Sequence, residues 1–326
     1  MHRPMRPTMF VSCLLIAACA GNAPEIREAP SGVNLEVVLQ EAGTEPRQPL
    51  RYRGVVGQTQ RVLLRLSLAS FVESRYAFTG AQVPVVELVT QVGQSFTGTE
   101  AGTVGYPIRF ESIRIDDADG VDEATRAALT SELAPIAKTS AVFEIDDRGI
   151  TRKASVTVPP EASPRLLALL GNIRTTLLSA ALPTEPVGIG ARWEVERIMT
   201  VGQLKVPQKV TYSLLGREQD RLRIGITVHQ SAKPQVLPLG DSGNTLNVES
   251  YEVSAVGTTL VDLHSFAPTG EVRGLSQMLA TLHHGTADEQ FSLNSDLLVQ
   301  LTPLPTEAPL VGASEAPPAE VPLSTR

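Results

Sequence analysis

Three short constellations in this 326-residue chain hold residue types capable of chemistry. In Gly240-Asp241-Ser242-Gly243 a serine follows an aspartate. A seryl nucleophile needs a histidine to take its proton and a carboxylate to orient that histidine. Beyond the first twenty residues, His229 is the one histidine ahead of Ser242, and its alternating surroundings place it on a solvent face. The tetrapeptide therefore reads as a turn between strands. His283-His284 offers two imidazoles, but neighbours on a strand point to opposite faces, and no HExxH or carboxylate spacing accompanies them. Asp116-Asp117-Ala118-Asp119-Gly120 has the composition of a calcium loop. With Gly120 at loop position six, position one is Ile115 and position twelve is Arg126, where an acidic ligand is required. The sequence thus assigns no catalytic residue, no metal ligand and no cofactor, and predicts a non-enzymatic protein.

The remaining reactive group is a thiol. Residues 1–20, MHRPMRPTMFVSCLLIAACA, carry Arg3 and Arg6, an apolar run from Met9 to Ala18, and then Cys19. That is the charged start and short apolar stretch of an export signal. A run of ten residues is too short to span a membrane, which takes about 20. Ile16-Ala17-Ala18-Cys19 resembles the lipobox of bacterial lipoproteins: a branched apolar residue, two small residues and cysteine. The resemblance covers the N-terminus alone. It implies removal of residues 1–18, a diacylglycerol on the Cys19 sulfur, and acylation of the new amino group in diderm bacteria. Several acyl chains, at ~0.8 kcal/mol per buried CH₂, hold a protein firmly on a bilayer. Residue 20 is Ala rather than the Asp associated with inner-membrane retention, so the resemblance implies a lipid-anchored outer-membrane protein facing the periplasm or the cell surface.

Cysteine use agrees, because Cys13 lies inside the leader and the mature chain keeps one thiol. It can form no internal disulfide and no cysteine metal site. Losing residues 1–18 removes two arginines and no acid, which leaves 26 basic residues against 35 acidic ones, a balance of −9. An acidic surface argues against nucleic acid as a partner. Residues 19–32 are polar and rich in Ala, Gly and Pro, the composition of a flexible tether. Residues 303–326 hold six prolines among Ala, Glu, Ser and Thr, a tail that cannot bury a core. The folded body is predicted over 33–302.

Within that body the governing signal is period-two alternation. Val62, Leu64, Leu66 and Leu68 share one face against Arg61, Leu63, Arg65 and Ser67; Leu222, Ile224, Ile226 and Val228 oppose Arg221, Arg223, Thr227 and His229. Similar runs occupy 34–39, 83–92, 107–115, 141–145, 191–199, 208–215, 246–255, 258–266 and 291–301. The fold class is mainly β, antiparallel, with one wet face. Two helices interrupt the strands. One starts at Asp122 and runs to about 137, with Leu129, Leu133 and Ile136 on one side and Pro135 set to end or kink it. The other, 163–182, is announced by Ser163-Pro164 and carries an apolar face through Leu166, Leu170, Ile173 and Leu177. Its polar face has only Arg165 and Arg174, so packing on a sheet is expected rather than a membrane surface. Trp193, with Gly188 and Gly190, suits a core or hairpin position better than a ligand rim.

An internal repeat is suggested by two offsets. Val56-Gly57 before Arg61-Val62 matches Val187-Gly188 before Arg192-Trp193, and the hairpin around Phe143 and Gly149 matches that around Phe266 and Gly270. Possible halves are 33–160 and 161–302. The segments GQTQRV, PVGIGARWEV and FAPTGEVRGL resemble a group of uncharacterised bacterial secreted proteins and lipoproteins. More loosely, a large sheet curled around helices is similar to the carrier architecture of the lipoprotein-localisation factors of the LolA and LolB type. The resemblance implies either a half-barrel whose concave side holds an apolar ligand or lipid, or two related β lobes. The expected partners are the membrane, through Cys19, and an apolar ligand. An envelope protein docking on the acidic surface or the tail is the alternative.

Overall fold

The computed structural model describes residues 35–305 except 56, 75–76, 94–95, 98–101, 116–121, 164–165, 167–179, 202, 240–243, 266 and 286. Fourteen strands run in chain order: β1 (Glu36–Glu41), β2 (Thr59–Ser74), β3 (Ala77–Gly93), β4 (Phe96–Thr97), β5 (Thr103–Ile115), β6 (Ser140–Asp146), β7 (Thr151–Thr157), β8 (Arg192–Val201), β9 (Leu204–Glu218), β10 (Arg221–Ala232), β11 (Gln235–Leu239), β12 (Asn244–Asp262), β13 (Thr269–His284) and β14 (Ala287–Leu304). All belong to one antiparallel sheet in the order β1-β8-β9-β10-β12-β13-β14-β2-β3-β5-β6-β7, with β11 beside β12 and β4 beside β5.

Alternation along these strands sorts apolar side chains to one side. On β10, Leu222 and Ile224 are fully buried while Arg221 and Arg223 are exposed. A flat sheet of this width would leave its apolar face wet, and this one curls. Val37 and Leu39 of β1 and Val156 of β7, at opposite ends of the strand order, pack on the same core cluster. Ile150, just before β7, shares a core cluster with Val195, Val210 and Val37. The two edges converge without pairing, so the sheet is a large curl not closed into a barrel.

The base of the curl is closed by chain crossing it. Residues 42–58 run from the end of β1 to the start of β2, across the strand order. They bond backbone to backbone at every stage: Gln48 exchanges both bonds with Val187 at 3.0 Å, Tyr52 N donates to Asp147 O at 2.7 Å, and Arg53 N to Leu263 O at 2.6 Å. Arg51 donates to Pro183 O and Thr184 O at 2.9 and 2.7 Å, which ties the crossing to 180–191. Leu50, Tyr52, Leu182 and Trp193 fill the space beneath it. The Trp193 Nε1 donates to Ala181 O at 2.7 Å and the ring stacks on Tyr212 at 5.7 Å, so Trp193 is a core residue. Where 42–58 meets 180–191 there is no room for a side chain: a Cβ on Gly188 would lie 1.7 Å from Thr44 O.

The helix from Asp122 is present as α1 (Glu123–Leu133), capped by the Asp122 carboxylate, which accepts from Thr125 N at 2.8 Å. It tightens into a 3₁₀ turn at Ala134–Lys138, where Pro135 cannot donate, and buries Leu133 and Ile136. Of the second expected helix, Ser163 Oγ accepts from Leu166 N at 3.1 Å and Leu166 is fully buried. Residues 164–165 and 167–179 lie outside the described residues, and α1 is the one α-helix described in full.

Three expectations are corrected. The runs 246–255 and 258–266 belong to one strand, β12, continuous through Gly257; only its end at Asp262 breaks them. β13 is a sixteen-residue strand where only a hairpin arm was expected, because Gly270 and Gly274 dilute its alternation. β14 continues through Pro303 to Leu304, so the tail begins later than 303. Two separate lobes are also replaced by one sheet, since β1 pairs with β8 and β14 with β2 across the two halves. Of the suggested repeat, Phe143 sits inside β6 and Phe266 lies outside the described residues. Asp146 Oδ1 accepts from Arg148 N and Ile150 N after β6, and Asp262 Oδ1 accepts from His264 N after β12. Each turn is thus closed by the aspartate that ends its strand, Asp146 or Asp262.

Gly188→Ala should lower stability by at least about 2 kcal/mol in urea unfolding, since backbone must move to admit the methyl group. Gly190→Ala, where φ is +85° but the space is open, should cost only about 1–2 kcal/mol. Equal losses at the two positions would contradict the close approach of 42–58 to 180–191.

Candidate functional site: the concave face of the sheet

Registers across seven consecutive strands, from β8 to β2, place inward side chains in horizontal rows. One row is Arg197, Gln208, Gln230, Val253, Ser276, Ser295 and Ser70, each the direct cross-strand partner of the next. The row nearer the base is Val195, Val210, Val228, Ala255, Gly274, Leu297 and Leu68. On the other side lie Met199 with Val206, and Ala232 with Tyr251, Met278, Leu293 and Val72. A belt of polar side chains therefore divides two apolar zones. On the base side Val195, Val210 and Val228 pack with Ile150 and Ala181, and on the other side Val206, Ala232, Tyr251, Met278 and Val72 share a separate cluster.

The belt is hydrogen-bonded within itself. Arg197 Nε donates to Gln208 Oε1 at 2.6 Å, and the Ser70 and Ser295 hydroxyls meet at 2.9 Å. Gln208, Ser70 and Ser295 are all buried. Polar groups out of water need such partners, because an unmet one costs roughly 1–3 kcal/mol. Arg197 is the one Lys, Arg, Asp or Glu in these rows, a cation on an apolar concavity. The surface near β12 and β13 is low, since Ala255, Gly257 and Gly274 project little or nothing. Leu297, although turned inward beside Gly274, is 37% exposed.

The convex side is the opposite. Lys209 reaches Glu194 at 2.7 Å and Glu196 at 3.7 Å, Arg61 pairs with Glu111 at 2.7 Å, and Arg273 with Glu271 at 2.6 Å. Outward apolar residues such as Val256 and Leu275 stand opposite Arg273 and Ser254, which breaks any continuous apolar band. A strand-built membrane span shows the reverse, an apolar belt ~25 Å tall facing out. No helix among the described residues is long and apolar enough to cross a membrane.

A cavity of about 400 Å³ opens at the base between 44–48, 187–189 and the β9–β10 turn, with Arg217 and Asp220 in its lining. His264 Nε2 lies 3.2 Å from the Asp220 carboxylate.

The residues first weighed for chemistry do not converge. Cys19, Asp116–Gly120 and Gly240–Gly243 lie outside the described residues. His229 is exposed on β10. His283 Nδ1 lies 2.7 Å from Asp288 in the β13–β14 hairpin, a surface pair, and no group of three metal-ligating side chains occurs among the described residues. Trp193 belongs to the core at the base. What the sequence did not disclose is the belt, whose members are scattered from Ser70 to Ser295. Its one local signal is Arg197, a charge at an inward position of an alternating strand.

No family model matches the chain, and no curated protein matches it. Solved structures do. OpdQ of Pseudomonas aeruginosa covers 76% of this chain and 100% of its own at 8% identity, with a TM-score of 0.22. A loop-deletion mutant of OmpT, an outer membrane protein of Vibrio cholerae, gives 76%, 100%, 8% and 0.19. A BenF-like porin from Pseudomonas fluorescens Pf-5 gives 77%, 100%, 9% and 0.18. At such scores the likeness carries no argument for location or activity.

Burial pushes the Tyr106 phenol well above its ordinary range, with neighbouring Tyr52 adding to it. Burial also raises Tyr212, against the opposing charge of Arg197, and Tyr251. A folded chain that resists losing these protons is at full stability below about pH 10 and loses stability as pH rises past it. Tyrosinate absorbance should therefore develop together with unfolding above pH ~10, followed by the emission of Trp193, the single tryptophan. Titration of all five tyrosines near pH ~10 in a protein that stays folded would contradict the buried positions of these three.

Proposed function

We propose that this protein is a lipoprotein of the bacterial outer membrane, tethered through acylated Cys19, whose curled sheet stands in water and holds an apolar ligand on its concave face. The observation that carries this is the sidedness of the sheet. Ion pairs such as Lys209–Glu194 and Arg61–Glu111 stand on the convex side among scattered exposed apolar residues, and apolar rows that include the partly exposed Leu297 line the concave side. A water-facing body needs its own attachment to a membrane, and the lipobox-like Ile16-Ala17-Ala18-Cys19 supplies one. The half-barrel, carrier-like form suits ligand holding better than chemistry, and no reaction is assigned to it.

A second reading has its own support. β1 and β7 are the two ends of the strand order and each pairs on one side only, which leaves edges to which an extended segment of an envelope protein can add.

Metabolic labelling with an alkyne-bearing fatty acid should mark the wild-type protein and not Cys19→Ala; equal labelling of both would refute the anchor. Organic extraction of the purified protein followed by mass spectrometry should release lipid beyond the covalent anchor. A protein that carries none, and takes up none when offered, would leave the edge-pairing reading in its place.

A further inference from the structure

Given the lipid-anchored reading above, on which this step rests, we infer that one corner of the convex side makes a second, non-covalent contact with the same bilayer: Ile198 and Val236, flanked by Lys205 and Lys233, lie against anionic phospholipid headgroups. The corner is assembled from three strands. Ile198 of β8 faces outward, opposite Pro207 of β9, and is 69% exposed. Two residues from Pro207, on the same face of β9, is the exposed Lys205. The Gln235 side chain ties that strand to the start of β11: its Oε1 accepts from Lys205 N at 3.0 Å, and its Nε2 donates to Lys205 O at 2.8 Å and Lys233 O at 3.3 Å. Leu237 and Leu239 turn inward onto the cluster with Val206, which leaves Val236 outward and 64% exposed. Two aliphatic side chains this bare in water are unfavourable. Among the described residues neither Lys205 nor Lys233 forms an ion pair, whereas Lys209, nearer the base on the same face, is held by Glu194 and Glu196. Apolar side chains beside unneutralised lysines suit the headgroup layer of an anionic membrane.

The tether meets the sheet beside this corner. β1 is antiparallel to β8 and Glu36 pairs with Glu196, so the chain preceding β1 joins the sheet at the level of Arg197 and Ile198. Residues 19–34 separate the anchor from that point, and a flexible chain of such length spans about 22 Å. Held at that distance, the headgroups are at high local concentration. A contact too weak to hold an acidic body by itself then sets its orientation. The base offers the contrary case: Ile189 is 52% exposed, but there Arg47 pairs with Glu45 and Arg51 with Asp147.

The test uses the acylated full chain in vesicles of phosphatidylethanolamine and phosphatidylglycerol. With the Cys19 sulfur acylated and Cys13 removed with the leader, Ile198→Cys or Ile189→Cys supplies the thiol for an environment-sensitive fluorophore. The label at 198 should shift to the blue and be quenched by nitroxide-bearing headgroups, and the label at 189 should do neither. Omitting phosphatidylglycerol, or combining Lys205→Gln with Lys233→Gln, should lower the bound-to-free ratio of this corner about tenfold or more. Equal quenching at the two positions, or stronger quenching at 189, would overturn the orientation. Quenching at 198 that is indifferent to phosphatidylglycerol and to both lysines would overturn the anionic-headgroup assignment. A chain that does not float with the vesicles, and whose Cys19 takes the label, would overturn the anchor reading itself. The lipid exchange needs no lysine variant, so a misfolded variant does not blunt the test.

Discussion

The constraint on which this structure depends is that one very wide antiparallel sheet carries the apolar side chains of its core on the same side. Alternation alone makes such a sheet, and alternation alone leaves half of it wet. Curling solves the problem only if something holds the curl. Here the holding is done by backbone hydrogen bonds from residues 42–58 to Val187, Asp147 and Leu263, far apart in sequence and all at the base. The Gly188 contact with Thr44 O is the tightest point of that closure. Leu50, Tyr52 and Trp193 are buried because this crossing exists, and the core common to β1 and β7 forms above it.

Away from the base the packing changes character. The two apolar zones do not merge, because the row between them is polar at six of seven positions. A buried amide or hydroxyl is tolerated where it finds a partner and is a liability where it does not. The serine pair and the Arg197–Gln208 bond meet that requirement at both ends of the row. A polar band inside a concave apolar face contributes little to stability that aliphatic side chains would not contribute better.

Sidedness also separates this sheet from strand-built membrane proteins. Width and antiparallel order are shared features, and both are generic. The deciding quantity is which side carries charge. Lys209 between Glu194 and Glu196, and Arg61 on Glu111, stand on the convex side. Exposed pairs of this kind add at most about 1 kcal/mol each to stability. Their larger effect is to place charge on that side, where water solvates it.

The sequence by itself determined the strand-rich class, the inward and outward faces of β2 and β10, and the capped helix at Asp122. Those are local matters: a period of two and a capping carboxylate. It misjudged β12 and β13, where Gly257, Gly270 and Gly274 interrupt the alternation on which strand recognition relies. Only the tertiary structure decided the strand order, which brings β14 beside β2 and makes Ser70 and Ser295 partners across 225 residues. The physical reason is that register is set by pairs of strands and not by either strand alone. A serine in β2, a glutamine in β9 and an arginine in β8 are unremarkable until hydrogen bonding aligns them. The belt on the concave face exists only in that alignment.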